Sequence, residues 1–519
     1  MSIKNNNIYL SKLETVLPRL LALYNRDQTS PTYGQGDRYR WAWKLIDFGN
    51  GTFQGAAHGL ARLLVNDLLP EYVSKTSILA SIDAMFHGAD TLRRSNGSME
   101  EAFPYESSFC VTALVAYDLL TCIELLEAQL TTEQRAHYFE IIRPMIVFLH
   151  HADETHAFIS NHLATAAVAL YKWNALTGEQ DEKRGSEILN RILKAQSKEG
   201  WFREYEGADP GYQTLCTYYL ADLHRLRPDL LLHEPLQRSL QFLWHFAHPD
   251  GSFGGFYGSR NTRFYYPAGI EYLAKEIPEA KTLAAFMRDS IIRQTTVTLD
   301  VMDEPNLIPM FNAYCWAATI EQEIQNNTNM ILPALSRETW RKEFPKAGLI
   351  IVRGNKHYTV VSWHKGGVCY HFQGNKASIN AGVVAKDKQG RYYSTQAYQD
   401  NNEISVNDDK IIICSHLVLM HKQLPSPLQL IILRVLNITL MRHKRVGNWI
   451  KNALVRLLIT NNKVSSAINQ RTISFGKQCE IVDEWVKNDG KLQGIPVNNH
   501  FSAIHMASQG YWQRQDTLS

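Results

Sequence analysis

The stretch FISNHLATAAVAL, residues 158–170, sets Asn161 and His162 side by side at the start of an alanine-rich segment. An amide and an imidazole at a helix N-terminus have two readings. Asn is a good N-cap, because its side-chain oxygen satisfies an orphan backbone N–H of the first turn. The sharper reading is a catalytic pair placed where backbone donors and the helix dipole favour an anion. Further on, Asp209-Pro210-Gly211 turns the chain into Tyr212; a core tyrosine is one reading, and the turn favours a loop mouth. A third cluster, GSRNTRFYY (258–266), carries Arg260, Asn261 and Arg263, and arginine suits bidentate carboxylate binding. Amides and guanidiniums bind anions; imidazoles and phenols move protons.

Other chemistries find less support. HHADETH (150–156) lacks the H-E-x-x-H spacing and a third ligand nearby, so neither a metal nor another cofactor is expected. No phosphate loop, G-x-S-x-G elbow or dinucleotide fingerprint occurs. The seven cysteines are odd in number, widely spaced and without a C-x-x-C, which fits reduced thiols. With 54 basic and 51 acidic residues the net charge of +3 provides no global field for nucleic acid. An anionic partner would need a local basic cleft.

These residues must be positioned by a helical repeat. Six segments open with a Gly, Pro or polar loop and run into small or aromatic residues, starting at 53, 106, 160, 210, 263 and 310. Between them lie amphipathic stretches such as RGSEILNRILKAQ (184–196). One small-residue inner helix and one amphipathic outer helix per unit of roughly fifty residues predicts an (α/α) toroid of about six hairpins, with an open solenoid as the alternative. Asn161, His162 and Tyr212 occupy equivalent places in neighbouring repeats, so the repeat brings them to one cleft.

After about residue 335 the texture becomes β-branched and aromatic, broken by Gly, Asn and Lys turns. Runs at 347–372, 379–398, 410–420, 471–485 and 501–512 predict an antiparallel β-sandwich. The expected division is a toroid over 1–335 and a sandwich domain over 336–519. A basic segment at 433–459 interrupts the sandwich and reads as partly helical. It is either a helical hairpin with its Leu/Ile face packed on the sandwich, or a peripheral contact for anionic lipid or a membrane-bound partner.

A toroid followed by a β-sandwich, with Asn-His opening one inner helix and a Tyr opening the next, resembles the heparinase II/III-like polysaccharide lyases. ISNHLATAAVAL, EYEGADPGYQTLCTYYL and RTISFGKQCEIVDEW carry the resemblance. It implies cleavage of a uronate-containing anionic polysaccharide by β-elimination. Asn161 would neutralise the uronate carboxylate, His162 would be a base or carboxylate partner, and Tyr212 would be an acid, or both acid and base. It also implies a sandwich histidine in the cleft: His364 in SWHKGG first, with His371 and His357 as rivals. Arg260, Asn261, Arg263, Tyr105 and Glu106 are expected to line subsites, with Glu101 beside them. Arg38 and Trp41 in GDRYRWAWK interleave a cation and an aromatic that suit sugar faces. Asn380-Ala381-Gly382 stands where the resemblance leads one to expect an acidic residue before the glycine.

Three alternatives share this scaffold. A uronyl C5-epimerase begins with the same proton abstraction. A glycoside hydrolase would draw on Glu204, Glu206 and Asp209 as paired carboxylates. A non-catalytic polysaccharide-binding protein of a biosynthetic assembly needs neither. The N-terminal stretch has no apolar leader pattern, so the expected location is cytoplasmic, or peripheral at the inner membrane face.

Overall fold

Small residues at the predicted positions let six helices approach closely enough to form a ring. The computed structural model describes residues 7–155, 157–320, 330–407, 410–420, 422, 424–442, 446–447, 449–450, 463–475, 479–488, 490–498, 501–504 and 507–513. Its helices are α1 (Ile8–Leu21), α2 (Arg38–Trp41), α3 (Ala56–Val65), α4 (Lys75–Leu92), α5 (Phe109–Leu126), α6 (Thr132–His151), α7 (Ser160–Thr177), α8 (Lys183–Ala195), α9 (Pro210–Leu226), α10 (His233–Leu243), α11 (Ala268–Leu273), α12 (Pro278–Arg293) and α13 (Glu304–Thr319). Helices α3, α5, α7, α9, α11 and α13 each pack on the next, and α13 packs back on α3. The ring is closed, so this is a toroid and not an open solenoid. Outer helices α4, α6, α8, α10 and α12 lie against α3, α5, α7, α9 and α11, while α1 lies against α13.

Burial follows this layering. In α7 the run Leu163–Asn174 is buried on every side, as an inner helix must be, whereas α8 buries only Gly185, Ile188, Leu189 and Ile192. Among the described residues α5 is long and apolar enough to cross a bilayer, but 83% of it is buried inside the ring. The fifth inner helix is short, and the long loop before it, 247–267, carries the Arg260 cluster.

Strands follow from Trp340. The first sheet runs in the order β1 (Trp340–Phe344), β2 (Leu349–Arg353), β3 (His357–Ser362), β4 (Val368–Gln373) and β5 (Lys376–Asn380), antiparallel throughout. Its central strands are apolar on both faces because both faces are covered. Leu349, Ile351, Tyr358, Val360, Tyr370 and Phe372 join the toroid core, while Ile350, Val361 and Cys369 meet the second sheet. The second sheet contains β6 (Val384–Asp387), β7 (Tyr392–Ser394), β8 (Glu403–Val406), β9 (Lys410–Leu419), β10 (Val464–Phe475), β11 (Cys479–Lys487) and β12 (Leu492–Ile495), in the order β11-β10-β9-β7-β6-β12 with β8 also on β9. Ile411, Ile413 and Ile473 of this sheet close the inter-sheet core. The fold is an α/α toroid followed by an antiparallel β-sandwich.

Three expectations change. FSAIHMASQGYW forms no strand among its described residues; it is a tail across the toroid, with an isolated β-bridge at Met302–Tyr511 and side-chain bonds to the first turn of α9 and the loop before α11. The basic segment overlaps the end of α14 (Pro427–Ile438) and includes a short turn at Leu440–Arg442; Leu428, Leu430, Ile431, Ile432, Val435 and Ile438 of α14 are exposed, and Leu433 and Leu436 are half-buried. Lys444, Arg445, Lys451 and Arg456 lie outside the described residues. Asn380, which stands where an acid was expected, accepts at its Oδ1 from Arg471 Nη1 at 2.8 Å, while Arg471 also pairs with Asp483.

Candidate active site

The N-cap of α7 is Ile159, so Asn161 sits inside the first turn and is not a cap. Its side chain points away from the helix end. Asn161 Nδ2 donates to both carboxylate oxygens of Glu204, each at 3.0 Å, and both residues are buried. Burial pushes the Glu204 carboxyl well above the usual range; the Asn161 hydrogen bond and the nearby Arg260 charge pull it the other way, and Asp209 raises it further. Beside it, His162 Nδ1 lies 2.7 Å from Glu154 Oε2. The adjacent amide and imidazole are thus each matched to a carboxylate from a different loop.

Glu204 belongs to a loop that the backbone strains to build. Tyr205 has φ +56° and Asn261, in the loop that packs on it, has φ +60°; Tyr105 at the mouth of α5 has φ +64°. A non-glycine residue in this region costs on the order of 1–3 kcal/mol and persists where the surroundings hold it, commonly at functional sites. Asp209 supplies much of that hold. It caps α9 by accepting from Tyr212 N at 3.1 Å, and also accepts from Arg260 N at 2.9 Å and from the Thr262 hydroxyl. Gly207 is required where it stands, because a Cβ there would lie 2.7 Å from the Tyr398 ring. Tyr398 in turn donates to or accepts from His364 Nδ1 at 2.9 Å.

Arg260 is buried, and its guanidinium stacks over the Tyr205 ring at 4.0 Å from the centroid. Asn261 is buried too. Its Oδ1 accepts from Lys365 Nζ at 2.7 Å, and its Nδ2 donates to Gln396 and Ser502. Lys365 is fully buried, and burial together with the Arg260 charge lowers its ammonium to about 7, against the opposing pull of Asp209 and Glu206.

Tyr212 is half-buried, edge-on to Phe264, and its hydroxyl donates to Ser508 Oγ at 2.6 Å. Burial pushes its phenol well above the usual value, the Glu204 and Tyr205 charges push it further, and Ser508 and Arg260 oppose. A phenol so placed holds its proton, and the lowered pKa that work as a base would require is not what its surroundings produce. Ser508 comes from the tail, which also brings the Tyr511 hydroxyl to Arg263 N at 3.0 Å and lays Arg263 near the rings of Phe256 and Tyr511.

Around this centre the remaining expected residues divide. Glu101, Glu154, Glu204 and Glu106 all bear on half-buried Cys110 and raise its thiol, which is pushed up first by desolvation. That shared neighbour ties the loop before α5 to the Asn161 and His162 partners. Glu106 itself accepts from Ala102 N at 2.9 Å, and Tyr105 stacks with Arg94. His364 reaches the Glu204 loop only through Tyr398, and burial lowers its imidazole. His357 and His371 lie together across β3 and β4, with Thr359 hydrogen-bonded to His371, and contact none of the site side chains described above. Arg38 is exposed and lies near the Trp41 ring, and Trp41 turns its indole N–H to Leu23 O at 2.8 Å. Glu154, Tyr205 and Lys365 were not singled out from the sequence, and Glu204 stood only as a hydrolase candidate. Among the described residues no group of three or more His, Cys, Asp or Glu side chains could hold a metal ion.

The sequence matches no family model and no curated protein. Solved structures similar to the chain include a Paenibacillus xanthan lyase (11% identity over 80% of this chain, TM-score 0.47) and heparinase III (10% identity over 93% of this chain and 78% of that one, TM-score 0.44). A cellobiose 2-epimerase from Bacillus thermoamylovorans is similar at 9% identity, over 60% of this chain and 97% of that one, with TM-score 0.43. The chain spans 46% of the xanthan lyase, less than half its length. Identities this low carry no chemistry.

Proposed function

We propose that the protein cleaves a uronate-containing anionic polysaccharide by β-elimination at the Asn161–Glu204, Glu154–His162 and Tyr212 groups. The observation that carries this reading is the pairing of each opening residue of α7 with its own buried carboxylate. A uronate C5–H is a poor acid because its carboxylate resists further negative charge. Arg260, Asn161 and Glu204, whose carboxyl burial pushes toward its protonated form, make a donor set for that carboxylate, strengthened by exclusion of water.

Glu154 on His162 Nδ1 fixes the imidazole tautomer, leaving Nε2 to take the C5 proton. The His162 side chain is 17% exposed, so it remains reachable where its partner is closed in. The electrons of the C5–H bond form the C4=C5 alkene, the C4–O4 bond breaks, and Tyr212 gives its proton to the leaving oxygen. The C5 proton then restores the phenol by way of His162 and solvent; no water is consumed. Hydrolysis has less support, because Asp209 is occupied as the cap of α9 and by Arg260 and Thr262.

Incubation with a panel of uronate polymers tests the reading. Elimination yields an unsaturated uronyl end that raises ultraviolet absorbance. New reducing ends without that absorbance would refute it, and deuterium uptake at C5 without chain cleavage would assign the epimerase instead.

A further inference from the structure

Helix α14 shows water the residues a helix normally hides. Leu428, Ile431, Ile432, Val435 and Ile438 are between 44% and 65% exposed, and Asn437 is the one buried residue of the helix. The exposure belongs to a well-built helix. Ser426 and Gln429 form a reciprocal capping box and Pro427 occupies the first turn. An apolar face of this size left in water marks a surface that binds something.

Charge identifies what binds. From Lys410 to Gln478 the chain contains eleven Lys and Arg and not one Asp or Glu, although its total charge is only +3. An Arg434–Asp47 ion pair of 2.5 Å fastens α14 to the segment before α3, where Trp43 and Leu45 are likewise exposed. A second copy of the chain is a poor occupant, because a two-fold contact would set two basic, acid-free segments against each other. Long aliphatic side chains with an exposed Trp449, in a segment rich in Lys and Arg and free of acids, have the composition of a helix lying in a lipid interface.

We propose that α14 docks the protein on an anionic lipid surface. The aliphatic face enters the acyl boundary, and the positive charge of the segment is attracted to the headgroups. The docking is independent of the reaction at the toroid mouth, and it places the 38–47 segment beside the same surface.

Co-sedimentation of the full chain with vesicles tests it. The protein should pellet with phosphatidylcholine vesicles containing phosphatidylglycerol at low salt and not with phosphatidylcholine alone. Binding should weaken at least ~10-fold when salt is raised to about 0.5 M, which shortens the screening length. The double variant Ile431→Glu/Val435→Glu should lose at least ~10-fold in binding while keeping the wild-type melting temperature, since both positions are already in water. Changing Arg442, Lys444 and Arg445 to Gln should weaken binding to the anionic vesicles only. Wild-type protein left in the supernatant with anionic vesicles at low salt overturns the proposal. So does unchanged binding by the Glu variant, or a dimer in light scattering that the same variant abolishes.

Discussion

One nitrogen, Asn161 Nδ2, lies 3.0 Å from both carboxylate oxygens of Glu204. The two residues come from neighbouring inner-helix mouths, so the packing of α9 on α7 is what makes the pair. Burial holds the Glu204 carboxyl toward its protonated form, which can donate to an incoming carboxylate where an ionised Glu would repel it. Glu204→Gln should therefore keep the fold, because the amide still offers Asn161 an oxygen. It should reduce turnover by about 10-fold or more through misdirected donors. Glu204→Ala leaves the buried Asn161 amide without that acceptor and should cost about 1–3 kcal/mol of stability in denaturant titration. Equal stability and equal turnover for both variants would remove Glu204 from the site.

Glu154 and His162 should behave as one unit. Each single substitution, His162→Ala or Glu154→Gln, should lower kcat by roughly 10²-fold with little change in KM. The double variant should be barely worse than His162→Ala, since the carboxylate acts only through the imidazole. Additive losses would mean that Glu154 acts on its own.

Tyr212→Phe tests the acid. The phenol is pushed up by burial and donates to Ser508, so its removal should cost ~10²-fold or more in turnover on a natural polymer. An oligosaccharide with a strongly acidic leaving group needs no proton donor and should be cleaved by Tyr212→Phe almost as fast as by wild type. The same substrate should fail to rescue His162→Ala. Rescue of both, or of neither, would separate Tyr212 from the leaving-group step.

Much of this was legible in the chain and some was not. The inner ring could be read because Ala, Gly and Ser recur wherever helices must touch, and the loop-to-helix junctions fixed Asn161, His162 and Tyr212 at neighbouring mouths. Their partners could not be read. Glu204 lies in the next repeat and acquires its character from burial, which a sequence does not display. Glu154 sat in HHADETH, where the histidines drew attention to metals. In SWHKGG the turn between β3 and β4 sends Lys365 to Asn261 and His364 to Tyr398, a division that the residue types alone do not display. The tail was misread because its apolar residues resemble a strand, whereas Ser508 and Tyr511 use their hydroxyls on the toroid. The aliphatic run in α14 reads as core, and only the structure shows that nothing in the described residues covers it.

Lys365 makes a prediction about pH and stability. Its folded value of about 7 lies below the ordinary lysine value, so between these two the unfolded chain binds more protons than the native one. Stability from this residue therefore rises with pH from about 7 to the ordinary lysine range and is lost below it, by up to about 1.4 kcal/mol per pH unit. Lys365→Met should flatten that rise, measured as the melting temperature between neutral and alkaline pH. An unchanged slope would show that the ammonium is charged in the fold throughout.

The central claim is that the glycosidic bond breaks without water, and labelled water tests it most directly. A uronate oligosaccharide cleaved in water enriched in oxygen-18 should give products whose masses sum to that of the substrate, with no heavy oxygen incorporated during cleavage at the new ends. His162→Ala should abolish those products. One heavy oxygen per cleavage, once spontaneous exchange at the reducing end is subtracted, would contradict the account and make the toroid a hydrolase.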